Sequence, residues 1–186
     1  IKNIFEEVPS NLLVVGQFDY KLVLLSLLIA IFASFMAFHV CSQAATTVSP
    51  KRRQVALMVS SIALGGGVWS MHFIGMLAFD LCTDVTYGWQ LTLLSLFPAV
   101  AASWVAQNLL IQDNITKKQL ILGGVLVGAG IGTMHYVGMA AMEMAPLLRY
   151  DLSMFLVSIL VAVCLAIVAL YIRFGLDSIT KIQIND

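Results

Sequence analysis

Charged residues are scarce in this chain, and their scarcity excludes an ordinary soluble domain. The 186 residues include 10 Lys and Arg and 10 Asp and Glu, whereas 60% are hydrophobic. The mean hydropathy is +0.95. Since polar residues normally cover the surface of a soluble protein, so apolar a chain of this length indicates that lipid is its surroundings.

Catalytic patterns and disulfide pairs are missing as well. The sequence shows no phosphate-binding glycine loop, no paired carboxylates and no nucleophile beside a base, so we predict that the chain is not an enzyme. Its three cysteines, Cys41, Cys82 and Cys164, fall at different predicted depths, and no disulfide is therefore predicted.

Long apolar runs are what the sequence has instead. A helix crosses the hydrocarbon core with about 20 residues, and five runs are long enough. Because the runs are continuous and do not alternate, they favour helices over a barrel. The predicted spans lie near 20–42, 54–79, 88–112, 119–143 and 151–173. The sequence therefore predicts an all-α, polytopic transmembrane helix bundle, with the lipid bilayer as its first partner.

Basic residues fall on alternate connections, which predicts the orientation. Lys51, Arg52 and Arg53 separate spans one and two, and Lys117 and Lys118 separate spans three and four. By the positive-inside rule we expect a cell inner membrane protein with the N-terminus outside and the C-terminus cytoplasmic. This topology explains the basic loops without a nucleic-acid partner.

The spans form a repeated pair of helices, A and B, in the order A-B-A-B-A. The B units align at an offset of 63 residues, from His72 to His135, and the A units carry Ser26, Ser95 and Ser158 in register. We predict one domain over 18–173, an amphipathic segment on the outer surface over 1–17 and a cytoplasmic linker or tail over 174–186. A third B unit is absent, so we expect a truncated chain or a sensor head from a longer protein.

Two short segments nearly repeat each other and place histidine among methionines inside apolar spans. They read Met71-His72-Phe73-Ile74-Gly75-Met76 and Met134-His135-Tyr136-Val137-Gly138-Met139. An ionisable side chain at such depth is costly and indicates function. Helical spacing puts His72 with Met76 and His135 with Met139 on shared faces. Both histidines are predicted in the outer half of the membrane at similar depth, where they point at each other or at one ligand.

Imidazole and thioether form a borderline-to-soft donor set that suits copper, and Cu(I) especially. The candidate ligands are Met71, His72, Met76, Met134, His135 and Met139, with Met142, Cys82, His39 and Glu143 as additional candidates. Haem held by His72 and His135 is an alternative. A structural subunit of a membrane complex, with the motifs packing helices, is another. The types of side chain alone do not distinguish among these alternatives.

The repeated Met-His-aromatic-x-Gly-Met element resembles the MHYT domain family of bacterial integral-membrane sensor domains. The resemblance covers 18–173, although the family motif ends Met-His-Tyr-Thr and the copies here read Met-His-Phe-Ile and Met-His-Tyr-Val. It implies copper binding by the motif Met and His residues and a response to a diatomic gas (O2, CO or NO) or to redox state. It further implies signalling to a cytoplasmic output domain that this chain lacks, and it leaves a homodimer open.

Overall fold

The computed structural model describes residues 17–80, 85–112, 115–143 and 152–183. Its helices are α1 (Tyr20–Thr46), α2 (Pro50–Leu77), α3 (Trp89–Leu94), α4 (Leu96–Leu110), α5 (Lys117–Ala140) and α6 (Leu152–Gln183). Five segments are long and apolar enough to cross a membrane, with α3 and α4 together forming the third. The predicted five-span helical bundle is confirmed. The predicted surface segment 1–17 lies outside the described residues, apart from Gln17.

Local sequence signals fix where the helices begin. Asp19 caps α1, since its carboxylate accepts a hydrogen bond of 2.8 Å from the backbone N–H of Lys21. Pro50 opens α2, where its missing N–H leaves no bond unmade. Thr116 and Gln119 form a reciprocal capping box at the start of α5. The helix starts therefore follow from side chains that can be read in the sequence.

The third span is interrupted at Ser95, which separates α3 from α4. Pro98 follows three residues later, and its missing N–H leaves the carbonyl of Leu94 without the usual intrahelical bond. The bend therefore lies where the proline predicts it. The fifth span, α6, continues to Gln183. The predicted boundary between 173 and 174 is therefore not marked by the end of a helix.

The sequence repeat is also a repeat of helix contacts. A Cβ atom added to Gly65 of α2 would lie 2.6 Å from the Cα atom of Val100 in α4. A Cβ atom added to Gly128 of α5 would lie 2.6 Å from the Cα atom of Val163 in α6. The two glycines are 63 residues apart in the sequence, and so are the two valines. Glycine therefore lets each motif-bearing helix touch the backbone of the A helix that follows it.

A second glycine in each B unit faces the A helix that comes before it. Gly67 of α2 packs against Ala33 of α1, and Gly130 of α5 packs against Ala102 of α4. Small residues on both sides of these contacts allow close approach. Each motif-bearing helix is thus held between two A helices, in the spatial order α1, α2, α4, α5, α6.

Two short strand pairs close the helix pairs at one end of the bundle. Strand β1 (Gln17–Phe18) pairs antiparallel with β2 (Phe79–Asp80), and β3 (Thr86–Tyr87) pairs antiparallel with β4 (Met142–Glu143). The backbone continues each pairing, since the N–H of Asp19 donates to Ala78 and that of Gly88 donates to Ala141, both at 2.8 Å. No pattern in the sequence predicts these strands. We call this end of the bundle the strand end.

Buried polar groups join α1, α2 and α4 at a level farther from the strand end than the motifs. Ser60 of α2 and Gln107 of α4 are fully buried. The Ser60 hydroxyl donates to the carbonyl oxygen of Ala37 at 2.6 Å, and its oxygen is in direct contact with the side-chain amide of Gln107. Polar bonds of this kind fix the relative positions of helices that lipid cannot sort by hydrophobicity.

Candidate metal centre

The two motif histidines meet near the strand end. His72 lies five residues before the last residue of α2, and His135 lies five residues before the last residue of α5. At 1.5 Å per residue both are about 7.5 Å below the helix ends. Their ring centroids are 4.8 Å apart and the ring planes cross at 61°. The structure therefore brings both imidazoles to one place at one depth.

One nitrogen of His72 is buried without a hydrogen bond. Its Nε2 atom has no partner among the described residues. The atom lies against Gly138, because a Cβ atom added there would be 2.9 Å away. The edge of the His72 ring also meets Phe73, with centroids 5.3 Å apart. A buried nitrogen without a donor or a ligand is unfavourable, so a bound group that satisfies the ring would stabilise it.

A cavity of about 670 Å³ opens beside the two rings. It lies between α2 and α5 at the strand end, and residues of α1, β2 and β3 complete its wall. Its chemically distinct lining consists of two imidazoles, four thioethers, two carboxylates and one phenol, contributed by Met71, His72, Met76, Met139, Met142, His135, Asp19, Asp80 and Tyr87. Nitrogen and sulfur donors from both motifs thus face the same space.

Tyr87 belongs to β3, beyond the end of the third span, and is the phenol of this wall. Burial raises the pKa of its hydroxyl above the ordinary value. The group therefore stays protonated at neutral pH. It contributes a neutral hydroxyl to the cavity and no phenolate charge.

The methionines at the first position of each motif do not behave alike. Met71 lines the cavity, whereas Met134 is 2% exposed and is not part of the cavity wall. Each precedes its histidine by one residue and so points about 100° away from it around the helix. On α2 this direction borders the cavity, whereas on α5 it leads into the packed helices. The structure therefore separates Met134 from the other five predicted motif ligands, which line the cavity. Met142, an additional candidate from the sequence, lies in β4 and is part of the cavity wall.

Two of the remaining additional candidates, His39 and Glu143, are not part of the cavity wall. His39 lies about 20 residues along α1 from Asp19, roughly 30 Å away. Its ring stacks on Phe35, and its Nε2 atom is 3.1 Å from the side-chain nitrogen of Gln43. The carboxylate of Glu143 lies over Gly88, where an added Cβ atom would be 2.9 Å from Oε1. Cys82 lies outside the described residues.

The lining excludes some kinds of metal site. Within the described ranges, no three His, Cys, Asp or Glu side chains come together as a metal-binding group. A metal ion here would need thioether sulfur beside the two imidazoles. Such a mixed set is soft and fits copper, Cu(I) in particular, better than zinc, magnesium or calcium.

The sequence pattern does not identify two acidic residues of the cavity wall. Asp19 lies one residue before α1, and Asp80 lies in β2. The pairing of β1 with β2 brings both into the cavity wall that the histidines also line. Their only sequence signal is position, since both flank the ends of one A-B unit. No helical periodicity connects Asp19, which precedes the first span, with Asp80, which follows the second.

Two tandem pairs of membrane helices define a repeat-built multi-pass membrane domain, in which the second helix of each pair supplies a histidine and at least one methionine to a shared cavity. The chain belongs to the MHYT family, described as the bacterial signalling protein N-terminal repeat, whose model matches residues 65–123 and 128–182. The predicted family membership is confirmed.

Several signalling proteins are similar to this chain. It is 40% identical over 165 residues to the bifunctional diguanylate cyclase/cyclic di-GMP phosphodiesterase MucR of Pseudomonas aeruginosa, covering 88% of the chain and 24% of that protein. It is 31% identical over 159 residues to the signaling protein YkoW of Bacillus subtilis, covering 86% and 20%. It is 34% identical over 150 residues to the cyclic di-GMP phosphodiesterase NbdA of P. aeruginosa, covering 81% and 19%.

The chain thus spans about a fifth to a quarter of the length of these curated relatives. The matched repeat is the non-catalytic sensor part, so the enzyme activities in the relatives' names do not belong to the residues present here. No solved structure matches this chain. The chain is therefore a membrane sensor domain of the kind found in bacterial signalling proteins.

Proposed function

We propose that the chain is a membrane sensor domain that binds copper in the cavity between α2 and α5. The observation that carries the proposal is the convergence of both motif histidines and four methionines on one cavity of about 670 Å³. His72 and His135 are the anchoring ligands. Met71, Met76 and Met139 supply thioether sulfur, and Met142 is an additional donor at the edge of the site.

Copper fits the residues that line the cavity. Two neutral imidazoles and several thioethers stabilise Cu(I), and the buried, unpaired Nε2 atom of His72 indicates that the ring lacks a partner that it needs. Bound copper would supply a redox-active centre with affinity for diatomic molecules. The chain itself holds the two imidazoles, excludes bulk water from the Nε2 atom of His72, and keeps Tyr87 neutral beside the site.

Haem is less well supported by the spacing of the rings. Imidazoles on opposite faces of one metal ion each place a nitrogen about 2 Å from it, so the two nitrogens would be about 4 Å apart and the ring centres farther. The observed distance of 4.8 Å between the ring centroids is therefore too short, because it would have to include the 4 Å between the nitrogens and the distance from each nitrogen to the centre of its ring. A small ion shared between the rings requires less rearrangement.

A purely structural role is also less well supported. Methionines that only fill a core would be buried among other side chains, as Met134 is. Met71, Met76 and Met139 instead border open space beside the histidines. The motifs therefore serve something other than helix packing alone.

The signal is proposed to be a diatomic gas or a change of redox state, passed to a cytoplasmic output domain. The names of MucR and NbdA contain cyclic di-GMP activities, which makes cyclic di-GMP turnover the output that we propose for the longer protein. By the positive-inside rule we propose that the basic connections face the cytoplasm, so the strand end and the cavity would face the periplasmic side of the inner membrane.

The first experiment measures copper content and the absorption spectrum of the protein purified in mild detergent. We expect about one copper ion per chain, lost in both His72→Ala and His135→Ala and without a Soret band. His39→Ala and Met134→Leu are matched controls, since both residues lie away from the cavity, and each should retain copper. Met139→Leu should weaken binding.

Other outcomes of this experiment are equally decisive. A Soret band that disappears with either histidine would replace copper by haem as the ligand. Folded protein that binds neither copper nor haem would overturn the proposal in favour of a structural role. Copper that survives in both His→Ala variants would place the metal at another site.

A further inference from the structure

Resting on the proposed function, we infer that Tyr136 and Ser158 transmit the state of the histidine pair to α6, which pivots on the glycines of α5. Tyr136 directly follows His135 in the second motif, and the two ring centroids are 5.1 Å apart. On its other side the Tyr136 ring packs on Phe155 of α6, with centroids 4.4 Å apart. Any displacement of the His135 imidazole therefore meets a ring that already contacts the next helix.

A hydrogen bond completes the connection. The Tyr136 hydroxyl and the Ser158 Oγ atom are hydrogen-bonded. The single hydrogen of Ser158 is directed at the carbonyl oxygen of Phe155, 2.8 Å away. The Tyr136 hydroxyl is consequently the donor and the serine oxygen the acceptor. Removing either oxygen breaks the same bond.

The first repeat has a related link that is built differently. Ser95 corresponds to Ser158 and likewise donates to the carbonyl three residues before it, that of Thr92, at 2.7 Å. It accepts a hydrogen bond of 2.9 Å from the indole N–H of Trp69. The residue after His72 is Phe73, which is buried and has no hydroxyl. Only the second motif couples the residue next to its histidine to the following helix by a polar bond.

The contact lies at one end of a lever. Gly124 and Gly128 bring α5 against the backbone of α6, since added Cβ atoms would lie 3.0 Å from the Cα of Ile167 and 2.6 Å from the Cα of Val163. Tyr136 is eight residues farther along α5, about 12 Å from Gly128. With the glycine contact as a fulcrum, a shift at Ser158 moves the opposite end of α6 in the other direction.

Space for this motion exists beside the link. An apolar cavity of about 440 Å³ lies between α3, α5 and α6, and its wall includes Leu91, Thr133, Tyr136, Phe155 and Ile159. A densely packed interface would resist displacement of either ring. Here Phe155 and Leu91 border the same cavity, so the strand end of α6 has space beside it into which to tilt.

The test measures a distance at the far end of the lever. Lys118→Cys and Ile172→Cys, both exposed positions, are labelled with maleimide-linked nitroxides after the native cysteines are replaced. The distance between the labels is recorded by pulsed EPR without metal and with Cu(I) alone. We expect a change of about 1–2 Å in the mean distance, the scale of known helix shifts. Copper affinity is measured in parallel by competition with a Cu(I) chelator.

Tyr136→Phe and Ser158→Ala should each reduce the copper-dependent distance change by at least half while the copper affinity stays within about twofold of the parent. Tyr171→Phe is the matched control, because it removes the hydroxyl of an exposed tyrosine of α6, and it should keep the full change. A distance change that survives in both link variants overturns the inference. So does loss of copper in those variants, which would make Tyr136 part of the site.

The proposed function and this inference fail in distinguishable ways. Parent protein that binds copper without any distance change leaves the metal site standing and overturns the lever. Parent protein that binds no copper overturns both.

Discussion

Gly138 and Gly75 occupy the same position in the two motifs, yet their surroundings are opposite. A Cβ atom added to Gly138 would lie 2.9 Å from the Nε2 atom of His72, whereas one added to Gly75 would meet nothing within 4 Å. The equivalence of the repeats therefore ends at the site itself. One glycine accommodates an imidazole, and the other borders open space.

This difference gives a prediction for a pair of matched variants. Gly138→Ala should displace the His72 ring and weaken Cu(I) affinity by about tenfold, the scale of losses when groups that orient a metal ligand are changed. Gly75→Ala should alter the affinity by less than twofold. Competition with a Cu(I) chelator measures both values. Equal affinities for the two variants would show that the His72 ring is not held against Gly138 when metal is bound.

Residue spacing predicts which histidine and methionine share a face in each motif, but it does not predict the full lining of the cavity. Helical periodicity alone places His72 with Met76 and His135 with Met139 on common faces. Met71 and Met134 have identical spacing, and only Met71 lines the cavity. Which of them does so depends on the neighbouring helix at that height, and a single sequence carries no direct signal for that neighbour.

Glycine positions determine how closely the helices approach one another. Gly65 touches the backbone of α4 at Val100, whereas its neighbour Gly66 meets nothing within 4 Å. Backbone atoms cannot move aside as a flexible side chain can. The two adjacent glycines thus have different roles although the sequence shows them as one run.

We predict that Gly65→Ala destabilises the protein by about 1–3 kcal/mol, the usual range for overpacking. Gly66→Ala should be neutral or stabilising by up to about 1 kcal/mol, because alanine favours the helix. Unfolding of both variants by a denaturing detergent, followed by circular dichroism, gives the comparison. A stable Gly65→Ala variant would mean that α2 and α4 separate more easily than the contact with Val100 indicates.

At the level of elements, hydropathy found all five spans because each presents some 20 apolar residues. The ends shifted by a few residues where caps decided them, as at Pro50 and Thr116. The strand pairs escaped prediction because two residues carry no periodicity. Their pairing depends on helices that first bring Gln17 beside Asp80 and Thr86 beside Glu143.

Metal binding should stabilise the whole folded molecule. A ligand that binds only the folded state adds about 2.7 kcal/mol to its stability when its free concentration is 100 times the dissociation constant. Cu(I) should therefore raise the free energy of unfolding of the parent protein by that amount and leave His72→Ala and His135→Ala unchanged. Detergent unfolding with and without Cu(I) measures the effect. An equal gain in the histidine variants would indicate binding elsewhere.

The strand pairs also bear on how the molecule can evolve. Each pair closes one helix pair on itself: β1 with β2 around the first, β3 with β4 around the second. His72 and His135 come from different helix pairs, so their shared cavity lies on the seam of a duplication. Residues that only hold one helix pair together can change in that half without a matching change in the other. At the seam the two copies must change together, because a substitution in one histidine leaves the other facing half of a site.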